Sequence, residues 1–201
     1  SSFWKIMSAK PAITGNKHLK MAEQADIHEL YEESVQNVEH EVEFMQTTFK
    51  EIRYRTAYLF REDFCGSASV SCQWVRQGEK FKAIGVDIDP IVLEWGRQNR
   101  LNRLPPADQT RVNLIEGDVM TTTMPLVDLI AAFNFSYFIF DTRNKLRAYF
   151  KRVHAALKDD GVFFVDLFGG PEAQQEMTEE TKYKGFTYIW DQAAFHPVSN
   201  L

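Results

Sequence analysis

At 201 residues the chain is long enough for one domain with a sizeable hydrophobic core and too short for two of ordinary size. With 44% hydrophobic and 25% charged residues it has the composition of a soluble globular protein; no apolar run reaches membrane-spanning length, and no secretory signal opens it. A formal charge of −5 gives no general reason to expect nucleic acid as a partner, and two cysteines without C-x-x-C spacing point to a reducing, cytoplasmic setting.

Residues 1–25 lack a clear period, contain Pro11 and Gly15, and read as a leader ahead of a domain over 26–201. A helix is expected over 26–50. Asp26 and Glu29 suit a capping box, and Leu30, Val35, Val38, Val42, Met45 and Phe49 recur near helical spacing. Glu32, Glu33, Glu39, Glu41 and Glu43 are assigned to its wet face. The apolar run Ala57–Phe60 then leads into a loop, Arg61-Glu-Asp-Phe-Cys-Gly-Ser-Ala68, followed by a helix over 69–76 that Gly78 closes. Phe81–Asp87 is the next strand. Asp89 and Pro90 mark a helix start running to about Leu101, where Pro105-Pro106 forbids continuation. Arg111–Glu116 alternates as a strand and meets Gly117-Asp118. Leu126–Phe133 is a buried strand. The stretch from Thr142 to Leu157 is helical, Gly161 ends the turn, and Val162–Leu167 is a fifth strand.

Strands alternating with helices imply an α/β fold: a Rossmann-like, doubly wound, mostly parallel sheet with helices on both faces. Tyr183–Trp190 is read as one more strand, and 171–201 as a C-terminal extension whose strands are incomplete.

In such a sheet the ligand lies beyond the carboxyl ends of the strands. Gly66 lets a ligand approach the backbone at a helix N-terminus, and Ala68 allows close helix packing. Asp87 lies twenty-one residues beyond Gly66, the spacing of a ribose-binding acid, while Asp89 is assigned to capping. Glu116-Gly-Asp-Val119 either grips an adenine edge or forms a plain turn. In Phe133-Asn-Phe-Ser-Tyr-Phe138 the phenylalanines are assigned to packing the next helix, leaving Asn134 and Tyr137 for chemistry. Cys65 has no activating base placed with it, and His18, His28, His40, His154 and His196 lack metal-ligand spacing, so no metal site is expected.

Over about residues 26 to 170 the chain resembles the class I S-adenosylmethionine-dependent methyltransferases. The runs Arg61–Ala68 and Ala83-Ile-Gly-Val-Asp-Ile-Asp-Pro90, with Asn134–Tyr137, are similar to a bacterial-type group within that class. The resemblance implies that Glu62, Gly66 and the backbone from Phe64 to Ser67 face the methionine portion and ribose of S-adenosylmethionine. It implies Asp87 for the ribose hydroxyls, Ile88 beside the adenine, Asp118 and Val119 at the adenine edge, and Asn134 near the transferring methyl. S-adenosylhomocysteine is the implied product, and Asn134 and Tyr137 are the candidate catalytic residues.

The sequence departs from the class where G-x-G-x-G is usual. Phe64, Gly66 and Ala68 occupy those positions, and phenylalanine does not readily take positive φ. The turn is therefore expected to differ, or the Phe64 ring to lie beside the ligand. A small-molecule acceptor is favoured over nucleic acid. The alternative reading is a non-catalytic binding or assembly module, and a nicotinamide-dependent oxidoreductase ranks last because G-x-G-x-x-G is absent.

Overall fold

The computed structural model describes residues 38–167, 169–183 and 186–194. The leader and the first half of the expected N-terminal helix lie outside the described residues. The described part of that helix is α1 (Val38–Arg53), which buries Val42, Met45 and Phe49.

Five strands form one parallel sheet in the order β3-β2-β1-β4-β5. They are β1 (Leu59–Asp63), β2 (Lys82–Asp87), β3 (Val112–Glu116), β4 (Val127–Ala132) and β5 (Leu157–Val165). Between them run α2 (Ser69–Val75), α3 (Pro90–Asn99), the short α4 (Pro106–Gln109) and α5 (Arg143–Ala156). The Asp89 carboxylate accepts a hydrogen bond from the Ile91 N–H at 2.8 Å with Pro90 at the first helical position, so α3 starts as the Asp-Pro step predicts. Thr142 caps α5 in the same way.

The sheet is covered on both faces. Phe49 and Met45 of α1 and Trp74 of α2 pack with Phe60, Ala83, Leu129 and Ala131 on one face. On the other, Tyr149 and Val153 of α5 pack with Ile84, Val86, Ile130 and Ala132. The alternation within β2 and β4 is the period-2 geometry that divides a strand between two layers.

Two expectations differ from the structure. The strand β1 runs through Arg61, Glu62 and Asp63, which the hydropathy pattern assigns to a loop. The last strand of the sheet starts at Leu157, so Gly161 lies inside β5 instead of ending a turn. The register with β4 steps from Val127↔Leu157 to Leu129↔Val162, which makes an irregular bulge around Gly161. A Cβ at Gly161 would stand 2.9 Å from Leu157 Cβ, which is why glycine serves there. In place of one C-terminal strand, β6 (Met177–Tyr183) and β7 (Phe186–Gln192) form an antiparallel pair of their own. Among the described residues neither joins the five-stranded sheet. No described helix is long and apolar enough to cross a membrane.

At the amino end of the sheet, Asp128 ties three segments together. Its carboxylate accepts from the N–H groups of Tyr58 (3.0 Å) and Leu59 (2.9 Å), from Lys158 Nζ (2.8 Å), and pairs with Arg55 at 2.9 Å. Burial pushes this carboxyl up, but Lys158, the two backbone donors and Arg55 outweigh it and hold it below the usual range. Its stabilisation is thus present above the ordinary aspartate range and lost as pH falls through the lowered value. Asp128→Ala leaves buried donors unpaired and should cost about 3 kcal/mol in urea unfolding at neutral pH, a deficit that narrows in acid.

Candidate functional site

The residues singled out in the sequence follow the carboxyl ends of four adjacent strands. Phe64, Gly66 and Ser67 follow β1, Ile88 follows β2, Asp118 and Val119 follow β3, and Asn134 and Tyr137 follow β4; Glu62 and Asp87 lie at the strand ends themselves. The sheet order brings all four ends to one edge.

The turn after β1 is left-handed three times, with φ +59° at Phe64, +52° at Gly66 and +61° at Ala68. Of the two outcomes expected for Phe64, a turn that avoids positive φ there is not what forms. Phe64 takes the left-handed conformation, and its ring packs away from the turn against Tyr149 (centroids 5.8 Å apart) and Phe140 (6.2 Å). Burial of that ring offsets a backbone cost of roughly 1–2 kcal/mol. Gly66 stays open: no atom lies within 4 Å of where its Cβ would stand. The Gly66 N–H donates to Asp87 Oδ2 at 2.7 Å, and the Asp89 N–H donates to Asp87 Oδ1 at 3.0 Å. Asp87 therefore fixes the turn and presents a carboxylate beside it.

Two glycines that sequence reasoning passed over shape this edge. A Cβ on Gly96 of α3 would stand 2.4 Å from the Ser67 carbonyl oxygen, so only glycine lets α3 lie against the turn. A Cβ on Gly85 would stand 2.9 Å from the Cys65 sulfur. The Cys65 thiol is buried, and that burial, with Glu62 and Asp87 nearby, pushes its titration well up. It packs and does not act as a nucleophile.

Glu62 is 6% exposed, and its Oε2 accepts from the Ser71 N–H (2.9 Å) and Ser71 Oγ (2.5 Å), which anchors the first turn of α2. Burial pushes this carboxyl up to about 8; the Ser71 bonds oppose the shift, and Glu41 and Asp87 add to it. Its neighbour Asp63, fully buried, accepts from Arg61 Nε (2.5 Å) and the Tyr149 hydroxyl (2.9 Å). Arg61 in turn donates to the Val119 carbonyl at 3.4 Å. The Val119 side chain belongs to the core beneath α5, so only its backbone serves the edge.

The remaining candidates are distributed as follows. Ile88 is 70% exposed and offers an apolar face. Asp118 is exposed and accepts from the Met120 N–H at 2.8 Å through Oδ1. Asn134 and Phe135 both have φ +55°, a sharp turn held by Asp166 at the end of β5, whose Oδ1 accepts from the Phe135 N–H at 2.9 Å. The Tyr137 hydroxyl donates to the Asp166 carbonyl at 2.9 Å, and burial together with Asp166 pushes its titration up. Tyr137 thus helps to hold the turn. Phe133 packs on the α1–α2 face, not against α5 as expected. Phe138 is exposed and lines a cavity of about 450 Å³ with Tyr137, Phe140, Leu146, Phe150 and Leu167. Among the described residues no three His, Cys, Asp or Glu side chains gather as a metal site.

A family model described as "Methyltransferase domain" matches residues 63–165, slightly more than half of the chain. No curated protein matches it. Among solved structures the fold is similar to an S-adenosylmethionine-dependent methyltransferase from Clostridium acetobutylicum (17% identity, 84% of this chain and 68% of that one, TM-score 0.65). It is also similar to an amino pentose methyltransferase from Micromonospora echinaspora with S-adenosylmethionine bound (18%, 88% and 70%, 0.63). A glycopeptide N-methyltransferase complexed with S-adenosylhomocysteine is a third (17%, 74% and 59%, 0.50), and the chain spans 59% of its length.

Because Glu62 titrates near 8 in the fold and near 4.5 when exposed, the folded state holds a proton that the unfolded chain releases. That contribution is full below 4.5 and lost as pH rises through 8. Between pH 7 and 9 wild type should lose roughly 1 kcal/mol more stability than Glu62→Gln. Parallel melting temperatures of the two proteins across that range would contradict this.

Proposed function

The chain belongs to the methyltransferase domain family, and on that premise we propose that it transfers a methyl group from S-adenosylmethionine to a small-molecule acceptor. The observation that carries the reading is the 2.7 Å bond from the Gly66 N–H to Asp87, which joins an open left-handed turn to a carboxylate at the next strand end. The residues present fit the donor. The space over Gly66 admits ligand atoms to the backbone, and Asp87 retains lone pairs for ribose hydroxyls. Ile88 offers an apolar surface for the adenine, Asp118 Oδ2 an acceptor for its amino group, and Glu62 a carboxylate for the methionine portion. Val119 contributes backbone alone on this reading.

When bound, the sulfonium supplies an intrinsically reactive methyl group, so the work of the chain is to place the acceptor in line with it. Asn134, half-buried in its tight turn, is the residue we assign to orienting the acceptor. Tyr137 supports that turn through Asp166. The neighbouring aromatic cavity suits an apolar part of the acceptor. Solved structures of similar fold are a methyltransferase of an amino pentose and one of a glycopeptide, which favours a small or peptide-like acceptor over nucleic acid. Positive φ at 64, 66 and 68 removes one of the grounds for the non-catalytic alternative, the altered turn.

On the same reading, residues 26–201 form the cofactor-binding domain behind a leader of 1–25, and the Arg61–Gly66 run marks the bacterial-type group. Cys65 and Cys72 are both buried and neither is in a disulfide, which favours a cytoplasmic protein. Asp87→Ala removes both the ribose acceptor and the clamp on Gly66, so titration calorimetry with S-adenosylmethionine should register no binding. Wild-type affinity in that variant would defeat the assignment.

A further inference from the structure

Phe64 carries a backbone strain whose relief lies in other segments. Glycine takes a positive φ freely, whereas a phenylalanine at φ +59° is held there by what its ring gains. That ring meets Phe140, 6.2 Å away between centroids, and Tyr149, 5.8 Å away. The two shelter each other as well, stacked 4.9 Å apart and 29° from parallel.

The two partners differ in how firmly they are held. Tyr149 is fully buried in α5, and its hydroxyl donates to Asp63 Oδ2 at 2.9 Å, beside Phe64 itself, so it is tied to the strand. Phe140 is half-buried and belongs to the segment that follows β4. Its N–H donates to the Tyr137 carbonyl at 3.1 Å, which closes the 3-10 turn Ser136–Ile139 just beyond Asn134. The same residue lines the cavity shared with Tyr137 and Phe138. Phe140 therefore touches both the turn assigned to the donor and the cavity assigned to the acceptor.

We propose that Phe140 is a positioning residue for the donor: its ring keeps Phe64 left-handed and so keeps the turn over Gly66 open to S-adenosylmethionine. This rests on the methyltransferase reading above. When Phe140 moves off, Phe64 loses half of its shelter and its backbone returns toward negative φ, which carries the Gly66 N–H away from Asp87. Donor turn and acceptor cavity are thereby two sides of one aromatic contact. An acceptor that packs against Phe140 strengthens donor binding, and the donor strengthens acceptor binding by the same factor. Phe64→Gly needs no shelter and breaks that link.

A double-substitution cycle read by titration calorimetry with S-adenosylhomocysteine tests this. With Phe64 in place, Phe140→Ala should weaken binding by about tenfold. Phe140→Tyr, which keeps the ring, should stay within about twofold of wild type. In the Phe64→Gly background, Phe140→Ala should change binding by less than about twofold. Phe140→Leu, which keeps bulk without the ring, repeats the cycle should the alanine variant fail to fold. Equal losses in both backgrounds would make Phe140 merely structural and overturn the proposal. Undiminished binding by Phe140→Ala, or no binding by Phe64→Gly alone, would overturn it too. Wild type that binds no S-adenosylhomocysteine would overturn the methyltransferase reading itself, whereas tight wild-type binding with additive losses would sink Phe140 alone.

Discussion

Three consecutive ionisable side chains are buried in the central strand of the sheet, and the edge of the molecule that matters is built from the partners they require. Arg61, Glu62 and Asp63 are each less than a tenth exposed. A charge in that position is tolerable only when paired and hydrogen-bonded. Asp63 is met by Arg61 and by Tyr149 of α5, Glu62 by Ser71 of α2, and Arg61 by the carbonyl of Val119 beyond β3. Three segments are thereby pinned to the last three residues of one strand. The turn that follows inherits its rigidity from them.

The electrostatic state of this edge follows from the same burial. Glu41 and Glu62 are pushed toward neutrality, and no basic side chain among the described residues relieves them. Asp87 is different, because two backbone N–H groups hold its carboxylate. The edge thus presents one carboxylate held by backbone N–H groups and two acids that burial pushes toward neutrality.

The sequence disclosed what depends on near neighbours. The alternation of strands and helices, the Asp89-Pro90 cap and the spacing from Gly66 to Asp87 are local, and the structure has each of them in place. What escaped depends on distant partners. Arg61-Glu62-Asp63 looks like a loop by hydropathy because its partners lie up to 86 residues away, as Tyr149 does. Phe64 looked unfit for a left-handed turn because the aromatic shelter of Tyr149 and Phe140 is invisible in the chain order. Glu41 looked solvated because it shares its helix with exposed Glu39 and Glu43, and only the fold turns it toward Asp166. The separate hairpin of β6 and β7 was read as one strand because the run Met177–Tyr183 is mostly polar. Gly96 gave a legible hint, a glycine inside a helix, which commonly marks a close backbone approach.

The sulfur of Cys65 offers a different kind of access to this edge. It lies against Gly85, shielded from water, with its thiol kept protonated by its surroundings. A thiol-modifying reagent can reach it only when the turn between β1 and α2 lifts away from the sheet. The rate at which Cys65 is alkylated is therefore a native clock for the opening of that turn, running without any added label. A ligand that clamps the turn would slow the clock in proportion to how rarely the site then comes undone.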